Sequence, residues 1–169
     1  MPDIEQLLVN NAGYAESYRG GLPSPPARSL AVVACMDARL DVFAALGLAE
    51  GDAHVIRNAG GVVTDDTIRS LAISQRLLDT TDVIVLHHTD CGMTKVTDEQ
   101  FRAAIVDDIG EAPPWDGGFF TDVAEDVRAS MQRIAASRYL PHTDAVRGFV
   151  FDVATGLVRE ITPGGPAGH

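Results

Sequence analysis

The sequence predicts an α/β fold in which helices flank a central, mainly parallel β-sheet, with a C-terminal antiparallel edge strand and an N-terminal helical arm. Short apolar, β-branched runs alternate with segments of helical periodicity along the chain. These apolar runs are nearly continuous, which is typical of parallel strands buried on both faces. The length of 169 residues matches about one domain, so we expect residues 1–169 to form a single domain.

The first elements are a helix and a buried strand, joined by a proline-rich connector. Residues 3–18 show a helical repeat and define an N-terminal arm over residues 1–22. The apolar face of this helix carries Ile4, Leu7, Leu8 and Ala15. The connector LPSPPARS at 22–29 leads into LAVVAC at 30–35, whose apolar, β-branched composition predicts a strand.

The middle of the chain continues this alternation. Residues 41–48 predict a short helix that ends near Gly51, and AHVIRNAG at 53–60 predicts a strand that runs into glycines. Thr64 can cap the next helix, because two aspartates occupy its first turn, where the helix dipole favours negative charge. The buried face of that helix comprises Ile68, Leu71, Ala72 and Leu78. DVIVLHH at 82–88 predicts the third strand.

The last third of the chain predicts two helices and a hairpin. The helices cover residues 98–109 and 122–137. A loop rich in proline and glycine at 111–118 separates them. Residues 147–161 predict two strands joined by a turn at 154–156, which should add the antiparallel edge strand. The tail at 162–169 has no periodicity, and we expect it to be disordered.

Charge and hydropathy exclude several classes of function. The chain has 24 acidic and 13 basic residues, which gives a formal net charge of −11. Such a surface repels phosphate backbones and anionic lipids, so we expect a small-molecule substrate and no nucleic-acid or membrane partner. No apolar run reaches the roughly 18–20 residues of a membrane span. The start MPDIEQLL lacks the basic and apolar regions of a signal peptide, so we expect a cytoplasmic protein.

Both cysteines follow apolar strands, at the sheet edge where α/β folds bind ligands. Cys35 ends the first strand, and Cys91 lies three residues after His88 at the end of the third. Two thiolates and one imidazole suit Zn²⁺, whereas a redox pair would favour C-x-x-C spacing. His87 should point to the opposite face and pack beneath the sheet, which leaves the fourth position to water or to Asp37. Three protein ligands with an open position are typical of a catalytic zinc site.

Asp37 and Arg39 lie two positions apart, so in an extended segment their side chains project the same way. A guanidinium can hold a carboxylate through two parallel hydrogen bonds. Asp37 therefore has two candidate partners, the metal and Arg39. If Asp37 binds the metal, the water position is blocked, and if Arg39 holds it, the position is open. A plain loop salt bridge is the alternative interpretation.

These residues make the chain resemble the β-class carbonic anhydrases. The matching segments are C-x-D-x-R at 35–39, RNAGG at 57–61 and H-x-x-C-G at 88–92. Their order and spacing agree with the family, and the resemblance runs from about residue 26 to residue 161. The helical arm and the short chain look like a compact, actinobacterial-type branch.

The resemblance implies a metal centre and a catalytic pair. One Zn²⁺ per chain would be held by Cys35, His88 and Cys91. Asp37 and Arg39 would form the catalytic dyad, with Asp37 as a fourth ligand in the closed, resting form that family members can adopt.

Three glycines and the N-terminal helix also gain roles through the resemblance. The backbone N–H of Gly92 would contact bound substrate, and Gly60 and Gly61 would allow close approach of the backbone beside the site. Family members form homodimers, which often pair into tetramers, with the first helix laid across the partner.

The activity implied is the reversible hydration of carbon dioxide to bicarbonate by zinc-bound hydroxide, gated by Asp37 and Arg39. The nearest alternative is hydrolysis of carbonyl sulfide or carbon disulfide, linear analogues of carbon dioxide, at the same site. A zinc-dependent sensor with a permanently closed site is a third interpretation. A sequence that lacks Asp37 or Arg39 would favour it, and this sequence has both. Ala38 and His87 stand where many members have serine and glycine, and both positions bear on substrate choice.

Overall fold

The computed structural model describes residues 4–164, in which five strands form one sheet surrounded by helices. The strands are β1 Leu30–Cys35, β2 Ala53–Asn58, β3 Asp82–His88, β4 Val146–Phe151 and β5 Val158–Ile161. The helices are α1 Ile4–Ser17, α2 Val42–Leu46, α3 Asp65–Leu78, α4 Asp98–Ile109 and α5 Val123–Ala135. Short 3₁₀ turns form at Ala59–Gly61 and Gly92–Thr94. None of the helices within 4–164 is long and apolar enough to cross a membrane.

The sheet has the order β2-β1-β3-β4-β5. β1 pairs in parallel with both β2 and β3, and β4 pairs in parallel with β3. β5 runs antiparallel to β4, so the predicted α/β fold with a C-terminal antiparallel edge strand is confirmed. Leu30 pairs with Asp82 and Ala34 pairs with Leu86. β1 and β3 therefore end at nearly the same level, which brings the residues that follow them together.

Each face of the sheet has its own apolar core. On one face α3 and α5 bury Leu71, Val127 and Ile134 against the strands. On the other face the segment around α2 buries Leu40 and Val42. Complete burial of such a side chain stabilises the fold by about 1.5–3 kcal/mol. β1 and β3 contribute side chains to both cores, so these two central strands are packed on both faces.

α2, β2 and α5 end earlier than the sequence predicted, and α5 ends at Ala135 rather than at 137. α2 ends at Leu46, because Gly47 adopts a left-handed conformation with φ 63° and closes the helix. The expected end near Gly51 was therefore too late. β2 ends at Asn58, because Gly60 has φ 76° and turns the chain into the 3₁₀ turn.

The predicted helices 98–109 and 122–137 correspond to α4 and α5. Asp122 lies just outside α5 and caps it, since its carboxylate accepts the N–H groups of Ala124 and Glu125. After β5, the carbonyl of Thr162 accepts a hydrogen bond from Arg128 Nε at 3.2 Å. Residues 165–169 of the tail lie outside the described residues, so the disorder expected for 162–169 stays a prediction.

The N-terminal helix is confirmed, and it packs little against the rest of its own chain. No residue of α1 is buried. Near its C-terminal end, Tyr14 Oη donates a hydrogen bond to Glu50 Oε1 at 3.0 Å. Ile4, Leu7 and Leu8 remain exposed. The apolar face of α1 therefore has no partner within the described part of the chain.

Candidate metal centre

The ends of β1 and β3 bring three metal-ligating side chains together. Cys35 is the last residue of β1, His88 is the last residue of β3, and Cys91 lies in the turn that follows β3. One ligand atom from each residue lies within 4.8 Å of the other two. All three side chains are buried. The two thiols and the imidazole predicted from the sequence thus form one compact cluster.

The hydrogen bonding of His88 leaves one ring nitrogen available to a metal. His88 Nδ1 lies 2.9 Å from the carbonyl oxygen of Thr89. A carbonyl only accepts, so Nδ1 carries the proton and Nε2 has a free lone pair. Nε2 is buried and has no hydrogen-bond partner among residues 4–164. A metal ion would satisfy this nitrogen, and the bond at Nδ1 fixes the orientation of the ring toward it.

The two thiols differ in acidity. Burial works to raise the pKa of Cys35, but the neighbouring His88 ring and the backbone N–H groups of Asp37 and Gly60 outweigh it and lower that pKa. Burial raises the pKa of Cys91 to about 11, with a further contribution from the neighbouring Cys35. A bound cation favours the thiolate form of both side chains, so metal binding would release protons.

Asp37 is paired with Arg39 beside the metal-ligating atoms. Arg39 Nη2 donates to Asp37 Oδ2 at 2.8 Å, and Arg39 Nε donates to Oδ1 at 3.0 Å. The backbone N–H of Arg39 also donates to Oδ1, at 2.8 Å. The guanidinium hydrogen bond holds the pKa of Asp37 well below its usual range. Asp37 Oδ2 also lies 3.6 Å from His88 Nε2, so the carboxylate lies beside the cluster.

Sequence reasoning missed the contribution of Arg57. Its Nε and Nη2 donate to the carbonyl oxygen of Cys35 at 2.9 Å and 2.8 Å. Nη2 also donates to the carbonyl oxygen of Asp37 at 2.7 Å. Arg57 therefore fixes the backbone of Cys35 and Asp37, which carry the first thiol and the carboxylate. The RNAGG segment was a signal for this position, but the contact with backbone carbonyls could not be predicted from it.

Asp90 and Lys95 also escaped the sequence analysis. Asp90 lies between the ligating positions 88 and 91, and its carboxylate accepts from Arg39 Nη1 at 3.1 Å. Lys95 Nζ donates to the other oxygen of that carboxylate at 2.7 Å. The only signal was the presence of an acidic residue within HTDC.

The three glycines named from the sequence lie in different surroundings. Gly60 and Gly61 are buried, and a Cβ on Gly61 would lie 2.8 Å from Cys35 N and 3.0 Å from the carbonyl carbon of Ala34. The close backbone approach beside the site is thus present at Gly61. Gly92 has open space around its α-carbon. A role in substrate binding stays a prediction for all three.

Replacing Gly61 by alanine should destabilise the fold by about 2 kcal/mol or more, because the added carbon meets backbone and φ is +75°. Urea unfolding of the metal-free protein measures this loss. Gly13→Ala is the matched control, since nothing lies within 4 Å of its added carbon and alanine favours a helix. A Gly61→Ala protein that unfolds at the wild-type midpoint would contradict the packing argument.

His87 points to the opposite face of the sheet, as predicted. Its side chain is fully buried, and Nε2 lies 2.7 Å from Asp126 Oδ2. The ring packs against that of Phe120 with centroids 5.7 Å apart. This environment fits the packing role beneath the sheet that the sequence predicted.

A buried Cys₂His cluster lies at the carboxyl edge of a parallel sheet, beside the Asp37 carboxylate that Arg39 holds. These features define an α/β metalloenzyme suited to zinc. A family model described as carbonic anhydrase matches residues 30–113. Beta-carbonic anhydrase 1 of Mycobacterium tuberculosis is 56% identical over 163 residues, which cover 96% of this chain and 100% of that relative. The chain belongs to the β-carbonic anhydrase family, whose members are zinc lyases.

Two further comparisons agree with this assignment. The crystal structure of a carbonic anhydrase from Streptococcus mutans superposes with a TM-score of 0.90 at 41% identity, covering 96% of this chain and 99% of that one. A carbon disulfide hydrolase from Acidithiobacillus thiooxidans is 33% identical over 176 residues, covering 92% of this chain and 87% of the relative. Both proteins therefore match nearly the whole chain.

Proposed function

We propose that this chain catalyses the reversible hydration of carbon dioxide to bicarbonate at a zinc ion. The observation that carries the proposal is the buried Cys₂His cluster whose imidazole Nε2 has no other partner. The adjacent pair of Asp37 and Arg39 supplies an oriented carboxylate beside that cluster. The 56% identity to a β-carbonic anhydrase supports the same choice of substrate.

One zinc ion per chain would be held by Cys35, His88 and Cys91. Two sulfur ligands and one nitrogen ligand suit this ion. When bound by three protein ligands, zinc lowers the pKa of a coordinated water to about 7 and so supplies a nucleophile at neutral pH. The buried setting keeps bulk water away from the thiolates, and Arg57 holds the backbone of Cys35 in place.

Asp37 and Arg39 act as a gate and as an orienting pair. While Arg39 holds both carboxylate oxygens, Asp37 stays clear of the metal position and can accept a hydrogen bond from the nucleophilic water. That hydrogen bond directs an oxygen lone pair toward the carbon of the substrate. When Asp37 leaves Arg39, its carboxylate can become a fourth ligand, and the site is closed.

Gly92, Gly60 and Gly61 are the residues that we propose to contact or surround the substrate. A Cβ added to Gly92 would meet no described atom within 4 Å, so a small molecule has room there, and the backbone N–H of Gly92 is the proposed donor to an oxygen of the substrate. Gly61 lets the chain pass close to Cys35, and Gly60 lies against the side chains of Met93 and Phe120, so both glycines shape the wall beside the site. Carbon dioxide is small and apolar, so it needs little more than this wall and one donor.

The competing substrates are carbonyl sulfide and carbon disulfide, because carbon disulfide hydrolases are among the relatives. Stopped-flow hydration of carbon dioxide at about pH 8.5 and sulfide release from the two sulfur compounds measure the preference. We expect the highest kcat/KM with carbon dioxide. Sulfide release without measurable hydration would overturn the proposal and favour the hydrolase activity.

The turnover rate should increase as the pH is raised. We expect kcat to rise through about pH 7 or above, since the nucleophile forms as the coordinated water loses its proton. The measurement is a profile of kcat in non-coordinating buffers at constant ionic strength. A flat profile from about pH 6 to 9 would contradict this account of the nucleophile.

We also propose that the chain forms a homodimer, which can pair further into a tetramer. The support is α1, whose apolar residues Ile4, Leu7 and Leu8 are 59–65% exposed in the described part of the chain. A second copy of this chain is the partner that would cover them. The single domain over 1–169 and the cytoplasmic location remain predictions from the sequence.

A further inference from the structure

The guanidinium of Arg39 is hydrogen-bonded both to Asp37, its partner in the dyad, and to Asp90, which lies outside the dyad. Nε and Nη2 bind the carboxylate of Asp37, whereas Nη1 binds Asp90 Oδ2 at 3.1 Å. Nη2 also donates to the carbonyl oxygen of Asp90 at 3.1 Å. Both the side chain and the backbone of Asp90 therefore face the guanidinium.

The conformation of Asp90 is unusual and directs these two groups. Its φ is 52°, in the left-handed region that few residues other than glycine, asparagine and aspartate adopt readily. Lys95 Nζ holds the remaining carboxylate oxygen at 2.7 Å. Because Asp90 stands between His88 and Cys91, one turn of backbone positions two metal ligands and the support of Arg39 together.

We propose that Asp90 is a positioning residue that keeps Arg39 turned toward Asp37 and thereby keeps the Asp37 carboxylate off the metal. The side chain of Arg39 is 48% exposed, so without Asp90 it would sample other rotamers in solvent. Asp37 Oδ2 lies only 3.6 Å from His88 Nε2, so a carboxylate released by Arg39 competes for the metal position. This inference rests on the proposed function, since it assigns part of the gate of that same site.

The test uses Asp90→Asn, which removes the charge and tolerates the left-handed backbone. The probe is azide binding to cobalt-substituted protein, followed by visible absorption, because an anion enters only where Asp37 is off the metal. We expect azide affinity to fall by about fivefold, the upper range for an exposed ion pair. In an Asp37→Ala background the same change should have no effect, because Asp90 acts through that carboxylate.

Asp79→Asn is the matched control, since Asp79 is also left-handed, with φ 56°, and lies beyond α3 at the opposite end of β3. It should leave azide affinity unchanged. An unchanged affinity in Asp90→Asn would overturn the proposal, as would equal weakening in both backgrounds or a wild-type protein that binds no azide. The expected pattern in a protein that does not hydrate carbon dioxide would refute the proposed function and leave the positioning role standing.

Discussion

Cys35→Ser and Cys91→Ser proteins are each expected to lose zinc. A serine hydroxyl stays neutral near pH 7 and is a poor ligand, whereas the thiol binds as a thiolate. Each substitution leaves one sulfur and the imidazole of His88, which is too few for a stable site at the sheet edge. Metal analysis after dialysis against a mild chelator should find well under one zinc per chain, with activity reduced in proportion.

Met36→Ser is the matched control for these variants. It introduces a serine next to Cys35 in the sequence, at a position outside the cluster. The Met36 side chain that it replaces is 65% exposed. This protein should keep its zinc and its far-ultraviolet circular dichroism spectrum. Stoichiometric zinc in either cysteine variant would show that the ion is held elsewhere, and the ligand assignment would be wrong.

Arg39→Ala is expected to lower kcat by about a hundredfold or more while zinc remains bound. The substitution removes both side-chain hydrogen bonds to Asp37, which lies 3.6 Å from the ring nitrogen of His88. The freed carboxylate would occupy the position that the nucleophile needs. Steady-state hydration assays combined with metal analysis separate this effect from loss of the ion.

Two companion variants sharpen the Arg39 result. Arg39→Lys keeps the charge but lacks the planar fork, so it should recover only part of the rate. Arg39→Ala combined with Asp37→Ala should bind azide in the cobalt protein, whereas Arg39→Ala alone should bind it poorly. Near-normal turnover of the single variant would remove the gate from the mechanism.

The sequence predicted the sheet and the ligand set because both depend on regular features. Continuous apolar runs marked the parallel strands, and parallel strands end at a common edge. Cys35 and His88 were thus placed together before any side-chain geometry was known, and the spacing to Cys91 added the third ligand. The structure confirms this cluster within 4.8 Å.

The supports of the site could not be predicted in the same way. Arg57 acts through backbone carbonyls, and Asp90 acts through a left-handed turn, so both roles depend on conformations that have no periodic signature. The sequence also left open whether Asp37 binds the metal or Arg39. Its position two residues from both Cys35 and Arg39 is compatible with either partner. The end of α2 was missed for a similar reason, since Gly47 and Gly51 both have a positive φ and the earlier of the two caps the helix.

Zinc titration of the metal-free protein tests the central claim most directly. Carbon dioxide hydration is followed by stopped-flow at about pH 8.5 as zinc is added in substoichiometric steps. We predict that activity rises linearly and stops at one zinc per chain. Saturation at one zinc without hydration, or hydration that persists in the metal-free protein, would contradict the assignment of this site to zinc-dependent carbon dioxide hydration.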